Sequence, residues 1–203
     1  MPEVHVTAAA VGWLAAALIV GYFIGAINPA SIIAKARGID LTTGGSGNPG
    51  ATNAGRLMGK RTGVIVGLLD VLKGVVPVLI FGWAAGPQIG AAAGFAAIIG
   101  HMTSPFLHGK GGKGVATTLG VLLAVEPIWL IPVLVAFAIV YLLVKKTGLA
   151  SVAGALALIV TAIVDDNRVQ NTLFGILIGV LVIVRHQRNL RAAWVDFRGK
   201  GAG

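Results

Sequence analysis

The sequence predicts an all-α integral membrane protein, a bundle of seven transmembrane helices formed as a single membrane domain over residues 1–203. Three observations predict it. Of the 203 residues, 56% are hydrophobic and 11% charged, against roughly 25% charged in a soluble domain. Apolar runs near the roughly 20 residues needed to cross a bilayer recur along the chain. Lys and Arg collect on alternate connections between those runs, as they do when one set of loops stays in the cytoplasm. The mean hydropathy of +0.89 agrees. The 30 glycines suit helices that approach closely in lipid.

The spans are read in order. The first covers 8–34, the second 62–85, and the third, rich in small residues, 88–106. The fourth at 114–125 and fifth at 127–144 meet at Glu126-Pro127. The sixth covers 149–164 and the seventh 169–184. Several are short, which implies tilted or partly sunken helices. A six-span arrangement with 88–106 re-entrant is the alternative. The start MPEVHVT has no Lys or Arg, and the run after it is long enough to span, so no secretory signal is expected.

With the N-terminus outside and the C-terminus cytoplasmic, the inner segments hold Lys35, Arg37, Arg56, Lys60, Arg61, Lys110, Lys113, Lys145, Lys146, Arg185, Arg188, Arg191, Arg198 and Lys200. That is fourteen of the sixteen Lys and Arg. Arg168 falls outside and Lys73 lies within a span. Glu126, Asp165 and Asp166 occupy outer turns. The net charge of +9 is thus explained by topology, and no nucleic-acid partner is expected.

Four polar clusters interrupt the apolar pattern. GGSGNPGATNAGR at 44–56 offers glycine backbone able to converge its N–H groups on an anion. Ser46 and Asn48 add donors, and Arg56 adds a forked guanidinium, with Asn53 spaced to share its helix face. A helix beginning near Thr52 would add a positive N-terminus. A mobile linker with a membrane-flanking Arg is the plain alternative. HGKGGKGVATT at 108–118 repeats the arrangement, with Lys113 at the join to the fourth helix. It is not a nucleotide P-loop, because Val115 stands where that motif needs Lys. Its plain alternative is an interfacial turn with snorkelling lysines.

RHQRNLR at 185–191 ends the last span. On a continuing helix His186 and Asn189 share a face. A basic membrane flank explains the three arginines but neither His186 nor Asn189. Asp70 and Lys73 lie about 12 Å deep in the second span, where charges face protein or water. Their i, i+3 spacing favours a structural pair, and His101 is ambiguous in the same way.

Several chemistries find no support. Without cysteine there is no disulfide, thiolate zinc site or Cys nucleophile. There is no HExxH, no inner carboxylate cluster and no GxSxG, so neither metal nor a Ser-His-Asp nucleophile is expected. No cofactor is implied.

GSGNPGATNAGR, LDVLKG, GHMTSPFLHGKGGKGVAT and RHQRNLR occur in this order along nearly the whole chain. Together they resemble the bacterial membrane glycerol-3-phosphate acyltransferases that use acyl phosphate, the PlsY family. The resemblance implies transfer of a fatty acyl group from acyl phosphate to the sn-1 hydroxyl of glycerol 3-phosphate. Lysophosphatidic acid and phosphate would be the products, in an early step of phospholipid synthesis. It implies a plasma-membrane enzyme whose active site faces the cytoplasm, working among membrane lipids, with a soluble acyl-phosphate synthase as a possible partner. Residue by residue it suggests Ser46, Asn48 and Arg56 in the first loop, and Gly111, Gly112 and Lys113 in the second. Ser151 and the pair His186 and Asn189 complete it. Asn53, Gly114 and Arg185, within or beside the same motifs, are expected to bind substrate.

The HxxxxD motif of many other glycerolipid acyltransferases is missing. Five residues after His5, His101, His108 and His186 stand Ala10, Phe106, Lys113 and Arg191. A substrate phosphate is therefore expected to accept the hydroxyl proton, with His186 and Asn189 orienting the acceptor. A transporter or channel for a small phosphate-bearing anion is the rival reading, with Asp70 and Lys73 as its midplane site. A purely structural scaffold would leave both glycine loops unexplained.

Overall fold

The computed structural model describes residues 7–165 and 169–200. His5, Asp166 and Arg168 lie outside the described residues. Among the described residues every regular element is helical. The chain falls into two compact units, Met1–Val125 and Glu126–Gly203.

The first unit holds α1 (Ala8–Ala26), α2 (Pro29–Ala36), α3 (Ala51–Met58), α4 (Lys60–Ala85), α5 (Pro87–Met102) and α6 (Val115–Val125). Small residues set its packing. A methyl added at Gly25 of α1 would run into the backbone of Ala97 of α5, and one at Gly120 of α6 into that of Val71 of α4. In lipid this close approach supplies the dispersion contacts that hydrophobic driving force cannot.

The first expected span is broken at Ile27 and Asn28. Pro29 brings no N–H and disfavours helical backbone at the residue before it. Asn28 is accordingly extended, and its Oδ1 caps α2 by accepting from Ser31 N at 2.8 Å. The carbonyls freed by the break are satisfied from elsewhere in the unit, by the connection after α5 and by α4. Ser104 Oγ donates to Ala26 O at 2.6 Å and Lys73 Nζ to Ile27 O at 2.8 Å. Unsatisfied backbone inside a bilayer costs several kcal/mol, roughly, so a break survives only with such partners.

Lys73 does pair with Asp70, at 2.9 Å, and His101 Nδ1 lies 3.5 Å from the same Asp70 oxygen. All three side chains are buried. The polar residues of the second span therefore face into the unit and tie α4 to the α1–α2 break and to α5.

The second unit holds α7 (Leu130–Val144), α8 (Thr147–Val164), α9 (Val169–Arg185) and α10 (Gln187–Lys200). At one end Trp129 Nε1 donates to Asp165 at 2.7 Å, and Asn171 to Glu126 at 2.8 Å. Two of the acids expected in outer turns are thus fastened.

The last motif does not lie on one continuing helix. The chain bends by 56° between α9 and α10. The His186 ring is the cause. Its Nδ1 lies 2.8 Å from Val182 O, the acceptor its own amide would use in an unbroken helix. The amide instead bonds Ile183 O, three residues back, at 2.9 Å. His186 O then starts α10 by accepting from Asn189 and Leu190.

Among the described residues five helical segments are long and apolar enough to cross a membrane, and six if the bent α9–α10 pair counts as one. The expected fourth span is the short one. Helix α6 has 11 residues, about 16 Å at 1.5 Å per residue, against a hydrocarbon core of about 30 Å. Gly114, with φ of 81°, precedes its start, and Pro127 follows its end.

Candidate functional site

The first glycine loop is built, not slack. At its entry Thr42 bonds Asp40 with both hydroxyl and amide at 2.7 Å, which holds the Asp40 carboxyl below its usual range. Inside the loop Gly45 and Gly47 take φ of 60° and 67°, a region that glycine enters without strain. Asn53, on α3, closes the loop from beneath. Its Oδ1 accepts from Ser46 N at 2.9 Å, and its Nδ2 donates to Leu41 O and Gly44 O at 3.2 and 3.1 Å. From the other side Asn28 Nδ2 donates to Pro49 O at 2.9 Å.

Asn53 was expected to touch substrate. The fold instead buries it to 1% exposure and commits both amide hydrogens to the loop. Asn53→Ala is expected to lose about 1–3 kcal/mol of stability, since Leu41 O, Gly44 O and Ser46 N lose their partner. Thermal unfolding in detergent measures it.

Helix α3 begins at Ala51, one residue before the expected Thr52. Gly50 is its N-cap and brings no capping side chain. The first-turn amides of α3 therefore lack an intrahelical acceptor and lie beside the loop. Among the described residues, the side chains of Ser46, Asn48 and Arg56 make no hydrogen bond or ion pair. Ser46 and Arg56 are exposed and Asn48 half-buried. Bare amides, two short donors and a guanidinium are groups whose chemistry suits an anion. Arg37, by contrast, is occupied with Thr62 Oγ1 at 3.1 Å and Met58 O at 3.5 Å.

The second loop rests on His101. Gly112 N donates to His101 O at 3.0 Å. A methyl at Gly111 would strike His101 O and the Met102 backbone, and one at Gly112 the His101 ring. Gly111, Gly112 and Gly114 are buried, and Lys113 is half-buried. The backbone is glycine here because nothing larger fits against α5.

Both loops hang on one buried polar chain. Loop 109–114 leans on His101, which faces Asp70. Asp70 pairs with Lys73, which holds Ile27 O, and the adjacent Asn28 holds Pro49. Sequence reasoning left His101 ambiguous and missed Asn28. The signal for Asn28 was Asn-Pro inside an apolar run, a helix-break pattern.

The second unit gathers Ser151, His186 and Asn189 near the start of α8 and the α9–α10 hinge. Ser151 Oγ donates to Thr147 O at 2.9 Å. Asn189 packs on Gly148, where an added methyl would strike its amide. His186 is 2% exposed. A carbonyl only accepts, so the contact with Val182 O assigns a proton to Nδ1. In the neutral ring Nε2 then carries the lone pair. Arg185 is half-buried. Among the described residues no group of three or more His, Asp or Glu could hold a metal ion.

The sequence profile of the glycerol-3-phosphate acyltransferases matches residues 15–195. A glycerol-3-phosphate acyltransferase of Geotalea daltonii is 40% identical over 177 residues, covering 86% of this chain and 91% of the relative. That of Aquifex aeolicus is 38% identical, covering 85% and 91%. A crystal structure of PlsY, an integral membrane glycerol 3-phosphate acyltransferase in its glycerol 3-phosphate form, superposes with a TM-score of 0.85. It shares 36% identity and covers 90% of this chain and 92% of that one. Its lysophosphatidic acid form superposes with a TM-score of 0.82 over the same shares.

Proposed function

The chain belongs to the glycerol-3-phosphate acyltransferase family and is an acyltransferase of the PlsY type, and from that premise we propose that its acyl donor is acyl phosphate. The acyl group passes to the sn-1 hydroxyl of glycerol 3-phosphate, giving lysophosphatidic acid and inorganic phosphate. The observation that carries the donor assignment is the pair of glycine loops on one buried polar chain in the first unit. Two substrates that each bear a phosphate call for two anion sites.

The chemistry needs no protein nucleophile. Acyl phosphate is a mixed anhydride and already activated. The glycerol oxygen attacks the acyl carbonyl carbon, the new ester C–O bond forms, and the C–O bond to phosphate breaks. The phosphate leaves with the electron pair, and the hydroxyl proton passes to a substrate phosphate. The protein aligns two anions and offsets their repulsion. Ser46, Asn48, Arg56 and the α3 amides hold the acyl phosphate, while Gly111, Gly112, Gly114 and Lys113 hold the second phosphate. Asn53 shapes the first loop. His186 and Asn189 orient the glycerol acceptor through Nε2 and the side-chain amide, with Ser151 and Arg185 beside them.

The finer topology belongs to the same reading: seven spans, the N-terminus outside, both glycine loops at the cytoplasmic face of the plasma membrane. The fourteen basic residues assigned to inner segments support it. A cytoplasmic site suits supply of the labile donor by a soluble acyl-phosphate synthase.

Purified protein given acyl phosphate and glycerol 3-phosphate is expected to form lysophosphatidic acid and phosphate in equal amounts. Acylation only from a thioester donor overturns the donor assignment. Uptake of glycerol 3-phosphate into vesicles without acylation favours the transporter. His186→Gln is expected to lower turnover about 10- to 100-fold, the worth of a hydrogen bond to a charged group. Full turnover in that variant removes His186 from the site.

A further inference from the structure

Helix α10 carries side chains that the acylation chemistry leaves unused. Leu190, Trp194 and Phe197 follow one another at i, i+4 and i+7, so they form one stripe. They stay 37%, 56% and 72% exposed. The Trp194 and Phe197 rings stack at 6.3 Å. Beside the stripe run Arg191 and Arg198, seven residues apart, with Arg188 a turn earlier on the polar side. The Arg198 guanidinium lies 4.8 Å over the Trp194 ring. On the opposite flank Asp196 is bound to Lys146, which ties α10 to the start of α8. The carboxylate is thereby occupied, and the arginine flank keeps its positive charge.

The place of α10 says what covers the stripe. It follows directly from α9, an apolar helix counted with it as one bent candidate span, after the 56° turn. A helix that turns away from a span at its end lies at the level of the lipid headgroups. Exposed Trp and Phe suit that layer, since their rings bury in the acyl boundary. Guanidiniums suit it too, because each can fork onto a lipid phosphate. We propose that α10 is an interfacial helix lying in the plane of the bilayer, with its Leu190–Trp194–Phe197 stripe in the acyl boundary and Arg188, Arg191 and Arg198 on anionic phospholipid headgroups. The proposal rests on the membrane setting of the chain and not on the acyl donor.

The arrangement has a consequence for the site. His186 forms the hinge and Asn189 the first turn of α10. Lipid attachment of α10 therefore sets the height of both relative to the headgroups.

The chain has no cysteine, so single labels are clean. Nitroxides at Leu190→Cys and at Ala192→Cys, on the opposite face, report collision with oxygen and with an aqueous nickel chelate. The full-length protein is measured in phosphatidylcholine vesicles with and without phosphatidylglycerol. A label at Phe197→Cys, at the far end of the stripe and 72% exposed, repeats the stripe measurement. The stripe labels are expected to favour oxygen, the Ala192 label nickel, and the stripe to sink deeper with phosphatidylglycerol. The triple variant Arg188→Gln, Arg191→Gln, Arg198→Gln is expected to lose that lipid dependence, as is the wild type in high salt. Stripe labels open to nickel in every vesicle overturn the proposal. So does shielding from both reagents with spin–spin broadening, which marks a second copy on the stripe. A phosphatidylglycerol effect that survives in the triple variant overturns the role of the arginines.

Discussion

Replacing Arg56 by alanine is expected to lower kcat/KM for acyl phosphate by about 10²–10³-fold, the usual effect of removing one donor from developing charge. The Michaelis constant for glycerol 3-phosphate should stay near its wild-type value. Arg56 is exposed on α3, and its guanidinium makes no hydrogen bond or ion pair among the described residues. Removing it should leave stability within about 0.5 kcal/mol, as for most surface substitutions. Loss of activity without a fold defect is therefore the signature. Arg56→Lys should recover only part of the loss, because an ammonium keeps the charge but not the fork. If Arg56→Ala raises the Michaelis constant for glycerol 3-phosphate alone, the two loops have been given each other's substrates.

Asp70→Ala is expected to act through the fold. It leaves the Lys73 ammonium buried with the Ile27 carbonyl but without its carboxylate. Breaking a buried pair by removing one partner costs about 3–5 kcal/mol. Thermal unfolding in detergent should show that loss, and the remaining activity should show weaker binding of both phosphate substrates. The second effect follows because His101, which supports the second loop, faces Asp70, while Lys73 braces the break beside Asn28. Adding Lys73→Met removes the stranded charge and should recover part of the stability. It should not recover substrate binding, since Ile27 O stays unsatisfied. A single variant within about 0.5 kcal/mol of wild type would show the pair to be incidental.

Much of the architecture was legible in the residues. Apolar runs locate helices because every backbone group in lipid must be satisfied within its own helix, and α4, α5, α7, α8 and α9 lie close to where the runs placed them. The two glycine loops were legible for a related reason. Only glycine allows the backbone to turn at Gly45 and Gly47, and to press against α5 at Gly111 and Gly112. The length of α6 and the break inside the first span were less so. The break depends on whether distant parts of the chain supply partners for the freed carbonyls, as Ser104 and Lys73 do for Ala26 and Ile27.

What the sequence by itself determined is the membrane class and the family, and it singled out the two glycine loops as segments unlike the rest of the chain. Composition, basic residues and glycine motifs are properties of the chain taken a stretch at a time. What only the tertiary structure decided is where particular polar side chains spend their hydrogen bonds. Asn53 turned inward to hold its loop, and His186 took the Val182 carbonyl and bent the last helix. Asp70 and His101, 31 positions apart, became one support for two loops. A hydrogen bond acts over about 3 Å, and nothing short of packing says which groups come that close.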